Sequence, residues 1–166
     1  MNDAYYEQIV ARKPRPTDMV LRVLLIALIP FIIIFGSAII GFFAFMLGVL
    51  YAILLYCLIF PRFNVEYEYD LLNHDMEISM IYNKASRKKK MSFDIQQAEM
   101  IAPKSSSQLN SYKPDKTLDF SSGDTNAKTY AVMIPLDQKL TCILIDPDTD
   151  MVKHIKGWMG TKFSEF

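Results

Sequence analysis

The sequence predicts an α+β membrane protein, in which a two-helix transmembrane hairpin is followed by a mainly antiparallel β domain of about seven strands with a C-terminal helix. Three observations carry that expectation. From Met19 to Phe60 the chain runs 42 residues with a single formal charge, Arg22. After Pro61 the apolar residues fall into short runs, the first of them strictly alternating, divided by turn residues. From Asp148 to Met159 the apolar period becomes that of a helix.

The N-terminal segment, residues 1–18, is polar. Within it, Asp3 to Val10 places Tyr6, Ile9, Val10 and then Lys13 at helical spacing, which predicts a short helix lying along the headgroups with its tyrosines at the interface. Pro14 and Pro16 should stop that helix, and Thr17 or Asp18 should cap the first span. One continuous helix over the apolar run would be about 63 Å long, whereas a hydrocarbon core is about 30 Å thick. The run therefore divides near Gly36 to Gly41 into spans of about 19–38 and 42–60. It is too long and starts too late for a cleaved signal peptide. Pro30 falls mid-span, where a neighbouring helix tolerates a kink. Ala44, Gly48 and Ala52 repeat every four residues and form a candidate helix-packing face, used within the hairpin or between copies in a homo-oligomer. A pore would need polar groups at depth, and Arg22 lies too near the end to serve.

Arg12, Lys13, Arg15 and Arg22 precede the first span, Arg62 follows the second, and the connection between them has no Lys or Arg. Two crossings return the chain to its starting side, so the positive-inside tendency puts both termini in the cytoplasm of a multi-pass cell-membrane protein. A net charge of +0 without a basic stripe predicts no nucleic-acid partner. Cys57 and Cys142 are expected as buried thiols rather than a disulfide.

Residues 61–166 are long enough for one small core. Val65, Tyr67 and Tyr69 alternate with Glu66, Glu68 and Asp70, and after a turn at Asn73 to Asp75 the run Met76 to Tyr82 returns as a second strand. Arg87 to Phe93 and Ala98 to Ala102 read as the third and fourth, with a short helical turn at Asp94 to Gln97, and a meander joins all four most simply. Pro103 to Lys116 is predicted to be a long exposed loop. Thr117 to Ser121, Lys128 to Ile134 and Lys139 to Ile145 complete seven strands. The closing helix carries Met151, Val152, Ile155, Trp158 and Met159 on one stripe, with Lys153 and Lys156 opposite and Gly160 just past its end.

Four strands, a loop, three strands and a helix is the element order of pleckstrin-homology-like domains. The chain also resembles an uncharacterised family of small two-span membrane proteins from low-GC Gram-positive bacteria. That resemblance runs through Tyr5-Tyr6-Glu7, Lys13-Pro14, the double span, Phe63 to Tyr69, Arg87-Lys88-Lys89 and Ile101-Ala102-Pro103. It implies two spans and a cytoplasmic pleckstrin-homology-like domain, and it transfers no catalytic or binding residue.

Arg87, Lys88, Lys89 and Lys90 are the densest charge and fall at or near the hairpin between the second and third strands of the domain. They are the candidate contact for anionic headgroups, at about 1 kcal/mol per cation near a membrane surface. Lipid-binding pleckstrin domains usually carry their basic motif between strands one and two, where this chain has the short acidic turn Asn73-His74-Asp75. Asp146, Asp148 and Asp150 invite a calcium reading, but an EF-hand loop starting at Asp146 needs Gly and Glu where Met151 and Gly157 stand. Helix capping is the expectation for them. His74 and His154 lack zinc-ligand spacing, and no phosphate-binding or nucleophile motif appears. No cofactor, metal or catalytic residue is expected. The expected function is a membrane-anchored cytoplasmic binding or scaffold module without catalytic activity, engaging another protein or headgroups. The alternative is a structural or accessory subunit of a larger membrane complex, docked through its transmembrane helices.

Overall fold

The computed structural model describes residues 5–165, with the side chain of Arg62 outside the described set. The chain divides into two compact units, a helical one built on residues 14–65 and 82–86 and a β unit built on the segment ending at Lys13, residues 66–81 and the chain from Arg87 onward.

In the helical unit, α1 (Pro16–Ile40) and α2 (Phe43–Leu54) form a helical pair. The expected caps Thr17 and Asp18 lie inside α1, which already opens at Pro16 behind Arg15, because the first turn needs no N–H from that position and the ring presets its φ. The Asp18 carboxylate accepts from the Arg15 N–H at 3.3 Å, one turn back. Helix α1 continues through Pro30 to the turn at Gly41, whose φ of 60° suits a residue without a Cβ. With 25 residues and no buried residue, α1 is long and apolar enough to cross a membrane. The second expected span, 42–60, is shorter and less regular than the sequence suggested. Its α-helix ends at Leu54, widens into a π turn at Leu55–Ile59 and then tightens into a 3-10 turn at Phe60–Phe63. Pro61 lacks the N–H an α-helix would use there, which accounts for the change of winding. Cys57, expected to be buried, is exposed on this segment, while Cys142 is buried as expected.

The β unit contains two four-stranded sheets. The first runs in the order β1 (Tyr5–Ala11), β2 (Val65–Leu72), β3 (Asp75–Tyr82), β4 (Ser86–Asp94). The second runs β5 (Met100–Pro103), β7 (Tyr130–Leu136), β8 (Lys139–Ile145), β6 (Lys116–Asp119). All seven strands expected after Pro61 are present. The meander of four is not, because the 3-10 turn at Ile95–Gln97 carries the chain out of the first sheet and β5 begins the second.

The place left in the first sheet belongs to β1, which replaces the expected interfacial helix; Asp3, at that helix's start, lies outside the described residues. Tyr5 stands opposite Leu72 and Ala11 opposite Glu66 in an antiparallel ladder. Over seven residues the apolar set satisfies a helical period, but the burial alternates strictly, with Tyr6, Gln8 and Val10 turned inward. Pairing with β2 satisfies that strand's outer row of backbone groups, which a helix cannot do.

The sheets face each other across an apolar interior. Tyr69, fully buried on β2, donates to the Phe120 carbonyl at 2.6 Å and accepts from the Asp146 N–H at 3.3 Å, so one hydroxyl joins the two sheets. Burial pushes its pKa up, well above the usual phenol value. The second sheet is covered on its other face too. Leu109 and Tyr112, in the segment expected to be an exposed loop, pack on Ala131, Met133, Cys142 and Leu144. Hence β7 and β8 read as unbroken apolar runs rather than alternating ones. Helix α3 (Thr149–Met159) buries Met151, Ile155 and Met159. Beyond it Phe163 stacks on Tyr130 and bridges to Ile101, and the Ser164 N–H donates to the Ile101 carbonyl at 2.8 Å.

Candidate binding surface

The basic cluster lies in a strand, not at a tip. The turn before β4 is Asn83 to Ala85, with Asn83 and Lys84 at positive φ, and Arg87 to Lys90 follow inside the strand. The Arg87 guanidinium forms ion pairs with Glu68 Oε2 at 2.6 Å and Asp70 Oδ2 at 2.5 Å, and Lys89 Nζ pairs with Glu77 Oε2 at 2.5 Å. These pairs hold Arg87 and Lys89 on the outer face of the first sheet. Lys88 and Lys90 are exposed and make no ion pair among the described residues.

The outer face itself is acidic. Glu7 on β1 stands opposite Asp70, and Ile9 opposite Glu68. Glu68 is the buried member, with its side chain 6% exposed. Desolvation raises its pKa, Asp70 adds to the rise, and Arg87 opposes it. Tyr5 donates to Glu7 at 2.9 Å and to Asp70 at 3.2 Å, and these bonds raise its hydroxyl to about 12.

The three aspartates near α3 do not converge. Asp146, buried, accepts from the Ser122 N–H at 2.7 Å and its hydroxyl at 2.5 Å. Asp148 caps α3 by accepting from Asp150 N at 3.1 Å and Met151 N at 2.8 Å, and it also receives the Tyr6 hydroxyl. Asp150 pairs with Lys153 at 2.8 Å. His74 lies 3.1 Å from Asp94 and edge-on to Trp158, while His154 stands against the Tyr6 ring. Tyr6 thus touches both Asp148 and His154.

Open clefts interrupt the β unit. One, of about 660 Å³, is bordered by Lys104, Asp124, Lys128 and Glu165, with Lys13 bonded to Asp124 at 2.7 Å. Another, of about 590 Å³, lies where the edge strands β4 and β6 approach each other, and it includes Met91, Leu118, Lys116 and Lys139. Nothing in the order of residues along the chain marks this second grouping. Lys116 and Lys139 are 23 positions apart and become neighbours only through the parallel pairing of β6 with β8, which sets Lys116 opposite Thr141.

On the helices, Ala44 and Gly48 are buried, and Ala52 is half-buried. A Cβ on Gly36 would meet that of Ala44 at 3.0 Å, and a Cβ on Gly48 would come within 2.5 Å of Ile33 Cγ1. The Tyr51 hydroxyl reaches the Leu25 carbonyl at 3.5 Å, and Arg22 lies over the Phe63 ring at 4.9 Å.

Two facing sheets with a helix at the C-terminal end define a pleckstrin-homology-like domain, a fold that suggests a binding or scaffold module. The sequence profile of one such family matches residues 2–165. The chain belongs to that family, the bacterial PH-like domain family DUF6106. No curated protein and no solved structure matches it.

Proposed function

We propose that this protein is a membrane-anchored binding or scaffold module, without catalytic activity, whose β unit works on the cytoplasmic side. The observation that carries this reading is the ladder between β1 and β2, which brackets the apolar helical pair. Strands that pair lie on one side of a membrane, so the segment between them crosses an even number of times. Helix α1 has the length and composition for one crossing, and the apolar segment Phe43–Ile59 follows it as the return. Seventeen residues at about 1.5 Å each span about 25 Å, close to a hydrocarbon core. Arg12, Lys13, Arg15, Arg22 and Arg62 all flank the outer ends of this pair, which favours the cytoplasm for the β unit. Large apolar side chains such as Phe31, Phe35, Phe43 and Phe45 are exposed on the helices, as a lipid-facing surface requires.

The alternative, an accessory subunit docked through its spans, has less support, because Ala44 and Gly48 are already covered by Gly36 and Ile33 of the same chain. Affinity capture of the full chain from gently solubilised membranes, beside a chain ending at Arg62, separates the two. Proteins and lipids lost on truncation support the module. Partners that the shortened chain retains overturn it in favour of the docked subunit.

A further inference from the structure

The turn between β2 and β3 meets the end of β4, which brings Asp94 to His74 and Asp75 although it lies 20 positions after His74. One ring nitrogen and two carboxylate oxygens there all lie within 4.8 Å of one another. His74 Nδ1 stands 3.1 Å from Asp94 Oδ1 and 3.7 Å from Asp75 Oδ1. This nitrogen is buried and has no hydrogen-bond partner among the described residues, because Asp94 stands off the line of an N–H bond. Buried polar atoms are seldom left so, and an orphaned one points to a missing neighbour. No Lys or Arg forms an ion pair with Asp75 or Asp94 among the described residues.

The frame around the three side chains is fixed. The Ile95 N–H donates to the His74 carbonyl at 2.9 Å, and the Gln96 N–H donates to Asp94 Oδ1 at 2.8 Å. Trp158 of α3 meets the His74 ring edge-on, with centroids 5.6 Å apart. Access remains, since the side chains of His74 and Asp75 are 38% and 66% exposed.

We propose that His74 Nδ1, Asp75 and Asp94 form a site for a divalent ion of the zinc class, with water in the fourth position. Donors about 2.1 Å from one ion in a tetrahedron sit about 3.4 Å apart, and the two separations from Nδ1 fall on either side of that value. A ring nitrogen beside two carboxylates suits zinc, whereas calcium and magnesium take oxygens alone. The other close group of acids, Glu7, Glu68 and Asp70, already holds the Arg87 guanidinium. A bound ion pins the β2–β3 turn to the point where the chain leaves the first sheet, and the Trp158 contact carries that constraint to α3. The site is independent of the binding-module reading.

Trp158 is the single tryptophan of the chain, so its fluorescence reports on the site. The full chain, without an affinity tag and stripped of metal by a chelator, is titrated with cobalt(II) in dodecyl maltoside micelles. Cobalt(II) accepts the same donors as zinc and quenches a nearby indole. It should quench Trp158 saturably, and zinc(II) should reverse the quenching while the same concentration of magnesium does not. Asp75→Asn and His74→Ala should each weaken cobalt binding at least about tenfold. Asp75 is exposed, so Asp75→Asn should keep the metal-free thermal transition of the parent, and that variant decides the matter if His74→Ala, deprived of its Trp158 contact, does not fold. His154 lies one turn before Trp158 on α3, and His154→Ala should bind cobalt as the parent does. Quenching that does not saturate, or that persists undiminished in Asp75→Asn, overturns the proposal. Loss of quenching in His154→Ala overturns it as well, by placing the metal on α3, and equal reversal by magnesium overturns the zinc class.

Discussion

Glu68 is a carboxylate on a wet-looking position of an alternating strand, yet its side chain is almost fully covered. Because burial holds its pKa above the ordinary 4.5, the folded chain keeps a proton there at pH values where the unfolded chain has lost it. The folded state then binds more protons, so this group's contribution to stability falls as pH rises through 4.5 toward the folded value. Glu68→Gln removes that dependence. The stability of the variant relative to the parent should therefore shift in the variant's favour between pH 4 and pH 7.5, read by chemical denaturation at both. A difference that moves the other way would mean that the pair with Arg87 outweighs desolvation. The sequence showed Glu68 as one of three acids alternating with Val65, Tyr67 and Tyr69, and nothing in that pattern marks which acid is covered. That depends on Ile9 of β1, 59 positions before it, and Arg87 of β4, 19 positions after it, closing over it. Asp148 was legible, since an aspartate before an amphipathic run is a capping signal wherever it occurs, and it caps α3.

At the scale of elements, the helical pair is held at its closest point by a residue without a side chain. A methyl group on Gly48 would lie 2.5 Å from Ile33 Cγ1, inside any real contact distance. Gly48→Ala should destabilise the pair by about 1–3 kcal/mol, the range for overpacking, and Ile33→Ala in the same chain should restore part of the loss. Thermal denaturation in detergent of the single and double variants measures the coupling. If the losses simply add, the two helices do not meet there. The strands after Pro61 were all readable because each is bounded by turn residues and its partner usually follows within a few positions. Strand β1 was not. Its seven residues fit both a helical and an alternating period, and the strand that decides between them begins beyond two helices. The sheet assignment of β5 was hidden for a related reason, since strand order in space is set by packing and not by the order of runs in the chain.

For the whole molecule, the helical pair is an insertion between two strands that are hydrogen-bonded neighbours. With Ala11 opposite Glu66, the chain ends left by removing residues 14–63 lie close enough for a short turn. Joining Lys13 to Asn64 through Asn-Gly should therefore yield a soluble, cooperatively folding β unit, observed as a monomer by light scattering with a single denaturation transition. Aggregation of that chain, with the full chain folding normally, would show that the helices are needed to complete the sheets. The sequence displayed the hairpin and the β domain as successive pieces, whereas the chain enters the domain, leaves it for the helices, and returns.

For a chain that inserts as proposed, that route imposes an order on synthesis. Strand β1 leaves the ribosome more than fifty residues before β2 and waits, unpaired, while the apolar segment is threaded. Only if the segment has doubled back does β2 emerge where β1 can reach it. A copy with one crossing too few carries a sheet that cannot close and an open strand for proteases to grip, so completion of the fold acts as an inspection of the membrane insertion that preceded it.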